Sequence, residues 1–209
     1  MTGTTPRKVG RLIAGLAFHP RYLTRYIQHN LRNGHSPLDL EIPWFSYAAI
    51  DYLNTYLQTN MSVFEFGSGG STIFFARRTK HVSAVENEAA WFNRVSQRLK
   101  DKSIQNVEMR LRQFDVKNPE NFEHSAYLNA LSGATFDVIV VDGAEEWVQV
   151  RPICFQHAEQ RVKPGGIIIV DDSWRYTNLR ANNKAKRHQV FQSVGPCRPG
   201  VTSTDLYFY

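Results

Sequence analysis

Six acidic residues and one glycine-rich turn are the parts of this 209-residue chain best suited to hold a ligand. Glu65 stands just before the run Gly67-Ser68-Gly69-Gly70-Ser71-Thr72, and Glu86 lies 21 residues after Glu65. Asp142 and the pair Asp171–Asp172 each close an apolar run, and Asp115 lies a few residues beyond another. Glycines reach positive φ and let a ligand approach the backbone closely. The amides that open a following helix favour a negative group. A carboxylate placed as Glu86 is can accept hydrogen bonds from both hydroxyls of a ribose. One beside the turn, as Glu65 is, can hold an ammonium directly or through water.

Such groups meet only if strands deliver them to one edge of a sheet. Pro43 is suited to open a helix, and Trp44 to Leu57 carries helical apolar spacing. Ser62–Phe66 reads as the first strand, followed by a helix from about Gly70 to Arg78. His81–Glu86 is the second strand, and the helix over Glu88–Lys100 gathers Trp91, Val95 and Leu99 on one face. Asn106–Leu111 is a third strand, and Glu120–Leu131 a looser helix. Phe136–Asp142 is nearly all apolar, as a strand buried on both faces should be. A helix opening near Pro152 leads to Lys163-Pro164-Gly165-Gly166, read as a helix stop and tight turn, before the fifth strand, Ile167–Asp172. His188–Val194 and Ser203–Tyr209 read as two final strands joined through Gly195-Pro196 and Pro199-Gly200. The alternation predicts an α/β fold, a doubly wound, mostly parallel seven-stranded sheet. In an open sheet the carboxyl ends of strands line the ligand crevice, so the acids should converge there.

The turn itself discriminates between nucleotide cofactors. A dinucleotide fingerprint needs a third glycine where Thr72 stands. With Glu65 two residues before the first glycine, the pattern suits a cofactor with a charged amino-acid end and no pyrophosphate. The sequence here resembles the class I S-adenosylmethionine-dependent methyltransferases over about residues 43–209. The resemblance rests on Glu65-Phe66-Gly67-Ser68-Gly69-Gly70-Ser71-Thr72, Val85-Glu86, Phe136 to Gly143, and Lys163 to Asp172. It implies a Rossmann-like methyltransferase fold with an antiparallel C-terminal hairpin that places the last strand beside the fifth. It also implies that Glu65, Gly67, Ser68 and Gly69 hold the methionine end, with Ser71 donating a hydroxyl to its carboxylate. Glu86 would hold the ribose, Asp115 the adenine amino group, and Asp142 would border the cofactor.

Asp142, Asp171 and Asp172 are similar to the carboxylate set that binds a divalent cation in catechol-type and sugar-type O-methyltransferases. The resemblance therefore implies Mg2+, which would bind adjacent substrate hydroxyls and lower the pKa of one. The other reading of these acids is that they shape the cofactor pocket and cap helices. Catechol-type enzymes place a catalytic lysine where this chain has Glu145 in Asp142-Gly143-Ala144-Glu145-Glu146-Trp147. Asp142 and Glu145 are thus the candidate catalytic groups, Glu145 as a general base if burial raises its pKa. Trp147, Trp174 and Tyr176 are candidates for the substrate wall, and Arg151 and Arg175 for an acidic substrate group.

Composition sets the outer bounds. With 42% hydrophobic and 12% aromatic residues, the chain can bury one substantial core. No apolar run approaches the ~20 residues of a membrane helix, and Met1 to Gly10 lacks the pattern of a secretory signal. Cys154 and Cys197 form no disulfide framework, which fits a reducing compartment and a cytoplasmic location. The net charge of +6 is uneven: residues 1–33 carry Arg7, Lys8, Arg11, Arg21, Arg25 and Arg32 and no acid. Residues 1–42 read either as a solvated basic arm or as a docked amphipathic helix or dimer arm, able to touch an anionic membrane surface or glycan. Residues 43–209 would form the cofactor-binding domain. The expected partner is a small molecule bearing a hydroxyl on a sugar, polyketide or phenol. Nucleic acid is less expected, because Asp142-Gly143-Ala144-Glu145 replaces the Asn/Asp-Pro-Pro-aromatic motif of base methylation. The alternatives are a nucleic-acid or other adenosyl-cofactor transferase, and a non-catalytic adenosylmethionine-binding protein.

Overall fold

Phe136–Val141, an almost unbroken apolar run, forms a strand at the centre of a seven-stranded sheet. The computed structural model describes residues 6–30, 36–115, 119–143 and 149–209. Its strands are β1 (Ser62–Phe66), β2 (His81–Glu86), β3 (Val107–Leu111), β4 (Phe136–Val141), β5 (Val162–Val170), β6 (Arg187–Val194) and β7 (Val201–Phe208). They lie in the order β3-β2-β1-β4-β5-β7-β6. The first five run parallel; β7 pairs antiparallel with both β5 and β6. The expected fold, with its C-terminal antiparallel hairpin, is the one observed. The strand order reverses between β1 and β4, which opens a crevice at their carboxyl ends.

The helices are α1 (Pro6–Phe18), α2 (Leu23–Asn30), α3 (Pro37–Leu40), α4 (Tyr47–Tyr56), α5 (Gly70–Ala76), α6 (Ala89–Asp101) and α7 (Val150–Ala158). Strand alternation feeds two cores. Val63, Val138, Val140, Ile167 and Ile169 meet α4 and α5 on one face. Phe64, Phe66, Ile139, Val141, Ile168 and Val170 meet α7 on the other. On α6 the predicted face of Val95 and Leu99 is buried with Leu38 and Ile73, and Trp91 packs against them half-buried. Every residue of α5 is buried, so the helix that follows the glycine turn is wedged into the molecule.

Three expectations are corrected, and of the two readings of the N-terminal segment the docked one agrees with the structure. The helix expected from Pro43 begins only at Tyr47, because the Ser46 hydroxyl caps it by accepting from the Ala49 amide at 3.3 Å. Residues 163–166 are not a turn but part of β5: the pairing with β4 shifts between Phe136↔Val162 and Val138↔Ile167. There Gly165 takes φ +83°, and its amide donates to the Tyr209 carbonyl at 2.9 Å. The looser helix over Glu120–Leu131 is two short 3-10 helices, Pro119–His124 and Leu128–Leu131. The basic N-terminal segment is no free arm, since Tyr22 and Tyr26 are buried in the first core with Leu12 and Leu16 packed against it.

Candidate functional site

The turn after β1 is held from all sides. Gly67 has φ +96°, and a Cβ there would stand 2.8 Å from the Gly143 Cα, so the loops after β1 and β4 touch. A Cβ on Gly70 would run into the carbonyl oxygens of Pro37 and Ile42, which fixes α3 and its following turn over the start of α5. Thr72, where a dinucleotide site wants glycine, uses its hydroxyl to accept from the Gly69 amide at 3.0 Å. Trp91 Nε1–H donates to the Ser68 carbonyl at 2.8 Å.

Two carboxylates flank this turn. Glu86 ends β2 and accepts from the Asn87 and Glu88 amides at Oε1, at 2.9 and 3.1 Å. Its Oε2 accepts from the Ser68 hydroxyl at 2.8 Å. Burial raises its pKa above the usual carboxylate range, against those hydrogen bonds. Glu65 lies beneath the turn, 1% exposed. Burial pushes its carboxyl up to about 7, with hydrogen bonding to Thr72 and Ser71 pulling the other way. Its Oε2 is buried without a hydrogen-bond partner. A buried acceptor without a donor is costly, and a cation or donor arriving near it would relieve that cost.

At the other end of the crevice, three carboxylates meet two guanidinium groups. Arg151, 5% exposed on the first turn of α7, donates to the carbonyls of Gly143 at 3.1 Å and Asp171 at 2.9 Å. Its Nη2 lies 3.2 Å from Asp142 Oδ1. Arg198, in the loop between β6 and β7, donates from Nη1 to Asp172 Oδ1 at 2.8 Å and sits 3.7 Å from Asp171 Oδ2. Asp172 takes a left-handed φ of 48°, a conformation non-glycine residues adopt rarely, and also accepts from the Thr202 hydroxyl at 3.0 Å. Although burial works to raise it, the Arg198 charge holds the Asp172 carboxyl below its usual range. Asp171 is displaced well upward, by burial first and then by Asp142, and accepts from the Thr204 hydroxyl at 2.6 Å.

A cavity of ≈ 780 Å³ joins the two ends. It reaches Gly67, Ser68, Gly69, Ser71 and Glu86, and also Asp142, Asp171 and Asp172. Glu65 is not on its wall but lies buried behind the turn. Asp115 is exposed and off the cavity; Gln113, nearer the end of β3, lines it instead. Tyr176 is buried and Trp174 is 57% exposed, and neither lines the cavity; nor does Arg175. Glu145 and Trp147 lie outside the described residues. Among the described residues no three His, Cys, Asp or Glu side chains are gathered to hold a metal, and guanidinium groups occupy the positions between Asp142, Asp171 and Asp172.

Sequence reasoning missed Trp44, Gln113 and Arg198 on the cavity wall and placed Trp91 only on a helix face. The only sequence signal for Arg198 is that it is the one charged residue in the loop from Gly195 to Gly200. Its placement is tertiary. Asn30 on α2 accepts from the Arg198 amide at 2.7 Å, and the Tyr26 hydroxyl donates to the Arg198 carbonyl at 3.2 Å.

A family model described as a methyltransferase domain matches residues 64–173. No curated protein sequence matches the chain. Among solved structures, the O-methyltransferase TomG from Streptomyces achromogenes, involved in tomaymycin synthesis and in complex with SAM, superposes with a TM-score of 0.60. Identity to it is 16%, over 98% of this chain and 99% of that one. An rRNA methylase from Streptococcus thermophilus gives 0.57 at 16% identity, covering 85% of this chain and 99% of that one. Precorrin-6y C5,15-methyltransferase from Geobacter metallireducens GS-15 gives 0.54 at 12%, covering 77% and 86%. At such identities the likeness is one of fold, and the fold does not choose among acceptors.

Proposed function

This chain belongs to the methyltransferase-domain family, and from that premise we propose that it carries the methyl group of S-adenosylmethionine to a hydroxyl of a small molecule. The observation that carries the cofactor is the buried, unpartnered Oε2 of Glu65 beneath a glycine turn. An anionic acceptor behind the turn suits an ammonium-bearing end and is hostile to a pyrophosphate. When bound, S-adenosylmethionine supplies a methyl group already activated by its sulfonium, so the protein's part is positioning and proton removal.

The residues divide that work. Glu86 Oε2 takes a ribose hydroxyl beside, or in exchange for, the Ser68 hydroxyl, while its Oε1 stays fixed by two amides. Gly67, Ser68, Gly69 and Ser71 form the wall beside the amino-acid end. Gln113, rather than Asp115, faces the base. Asp142, held beside Arg151, would take the proton that the acceptor's hydroxyl gives up on methylation, and Glu145 is a second candidate for that proton. The trio of Asp142, Asp171 and Asp172 does not fit Mg2+, since Arg151 and Arg198 already neutralise it, so no step is assigned to a cation. The size of the cavity supports a small acceptor.

The test is thermal stabilisation by adenosylhomocysteine and by NAD, followed by turnover of phenolic and sugar hydroxyls with and without EDTA. Adenosylhomocysteine at one hundred times its Kd should stabilise the protein by ~2.7 kcal/mol and NAD should not. No shift with adenosylhomocysteine at millimolar concentration removes the cofactor assignment. Loss of turnover in EDTA, restored by Mg2+, would reinstate the cation.

A further inference from the structure

Among its described side chains, helix α1 is apolar on the side that faces away from the protein. Its inward residues are Leu12, Gly15 and Leu16; Leu12 and Leu16 pack on the core, and a Cβ on Gly15 would stand 2.5 Å from Val201. Among the side chains of α1 that the structure describes, the exposed positions are 10, 13, 14, 17 and 18, the spacing of one helical face, and they hold Gly, Ile, Ala, Ala and Phe. A solvated face should carry charged residues there. Phe18 is 82% exposed and Ile13 63%. The following helix, α2, also bears exposed hydrophobics, Leu23 at 45% and Ile27 at 46%. Four of the seven exposed large hydrophobics of the described residues thus fall within residues 13–27.

The charge of the chain is concentrated on the same segment. Residues 1–33 hold six basic residues and no acid, and the remaining sequence holds 19 basic and 19 acidic residues. The entire +6 therefore belongs to the segment with the bare apolar face. A second copy of the chain would set basic segment against basic segment. An anionic bilayer complements both properties at once, taking the apolar side chains at the acyl boundary and the Lys and Arg side chains among the headgroups. No helix among the described residues is long and apolar enough to cross a membrane, so the contact is one of lying on the surface.

We infer that α1 and α2 form a docking face for an anionic lipid surface, with Ile13, Phe18, Leu23 and Ile27 entering the interface and the net positive charge of residues 1–33 drawing that face to the headgroups. The inference does not depend on the methyl-transfer reading.

The experiment is co-sedimentation of the full chain with phosphatidylcholine vesicles and with vesicles in which about one third of the lipid is phosphatidylglycerol. Binding should appear only with the anionic lipid and fall by roughly tenfold or more between low salt and about 0.5 M NaCl, as screening demands. The double variant Ile13→Ser/Phe18→Ser should bind at least ~10-fold more weakly while keeping the wild-type melting temperature, since both side chains already stand in solvent. The triple variant Arg7→Gln/Lys8→Gln/Arg11→Gln should lose the preference for anionic lipid. Absence of binding to anionic vesicles at low salt overturns the inference, as does undiminished binding by the Ser variant. A concentration-dependent dimer in sedimentation velocity, abolished by the Ser variant, would also overturn it by giving the face to a second copy.

Discussion

Glu65 makes the turn both a binding device and a liability. Its carboxyl is raised from the ordinary carboxylate value of 4.5 to about 7 by burial, so the folded protein holds a proton that the unfolded chain releases. Stability contributed at this site is therefore present below about pH 4.5 and declines as pH rises through about 7. A shift of that size corresponds to roughly 3 kcal/mol lost across the window. Glu65→Gln should flatten this decline, melting higher than wild type at pH 8 and equal to it near pH 4.5. The same variant should bind adenosylhomocysteine ~10-fold more weakly or worse, because the amide cannot attract an ammonium as the carboxylate does. Calorimetry in buffers of different ionisation enthalpy supplies a second check: binding to wild type near pH 7 should release a proton, and binding to Glu65→Gln should release less. Weaker stability of Glu65→Gln at pH 8 would sink this account of the buried acid. Glu86 behaves differently, because its oxygens already accept from Ser68, Asn87 and Glu88. Glu86→Ala should cost ligand affinity by ~10-fold or more, read as loss of the thermal shift.

At the scale of elements, α5 is tightly constrained, with all its residues buried. Its first residue, Gly70, lies against the Pro37 and Ile42 carbonyls, and a methyl group there has no room. Gly70→Ala should destabilise by ~1–3 kcal/mol in urea unfolding and open the cleft wall formed by Pro37 and Leu38. Gly69 faces the Trp91 ring at an ordinary 3.7 Å, so Gly69→Ala should cost less stability than Gly70→Ala. The sequence made β1, β2 and α5 legible because apolar runs, an acid and glycines follow one another within a few residues. Residues 163–166 misled for the opposite reason. Pro164-Gly165-Gly166 spells a turn locally, but the chain end returns to pair with them through Tyr209, and tertiary pairing overrode local propensity. The carboxylate positions were legible in the same way, each at the end of a strand. That two arginines fill the space among them was not, since Arg198 arrives from a loop 26 residues beyond Asp172.

Over the whole molecule, that loop depends on the N-terminal helices. Asn30 accepts from the Arg198 amide at 2.7 Å and donates to the Gly195 carbonyl at 3.2 Å. Tyr26 reaches the Arg198 carbonyl, and Tyr22 and Tyr26 complete the core that contains Phe45, Tyr47 and Val194. The segment that carries the chain's excess charge is thus also the brace for the end of the cleft that holds Asp171 and Asp172. Two truncations separate these roles. Removal of residues 1–19 takes away α1, whose outer face is bare, and should lower the melting temperature modestly while adenosylhomocysteine still binds. Removal of residues 1–33 takes Tyr22, Tyr26 and Asn30 as well. Each buried aromatic removed from a core costs ~3–5 kcal/mol, comparable with the whole stability of many domains. This shorter chain should fail to unfold cooperatively in urea. The point variant Asn30→Ala should keep the fold and cofactor affinity, yet raise KM for the acceptor by severalfold as Arg198 loses its register over Asp171 and Asp172. An unchanged acceptor KM in Asn30→Ala would show that the loop carries Arg198 to the acids without help from α2.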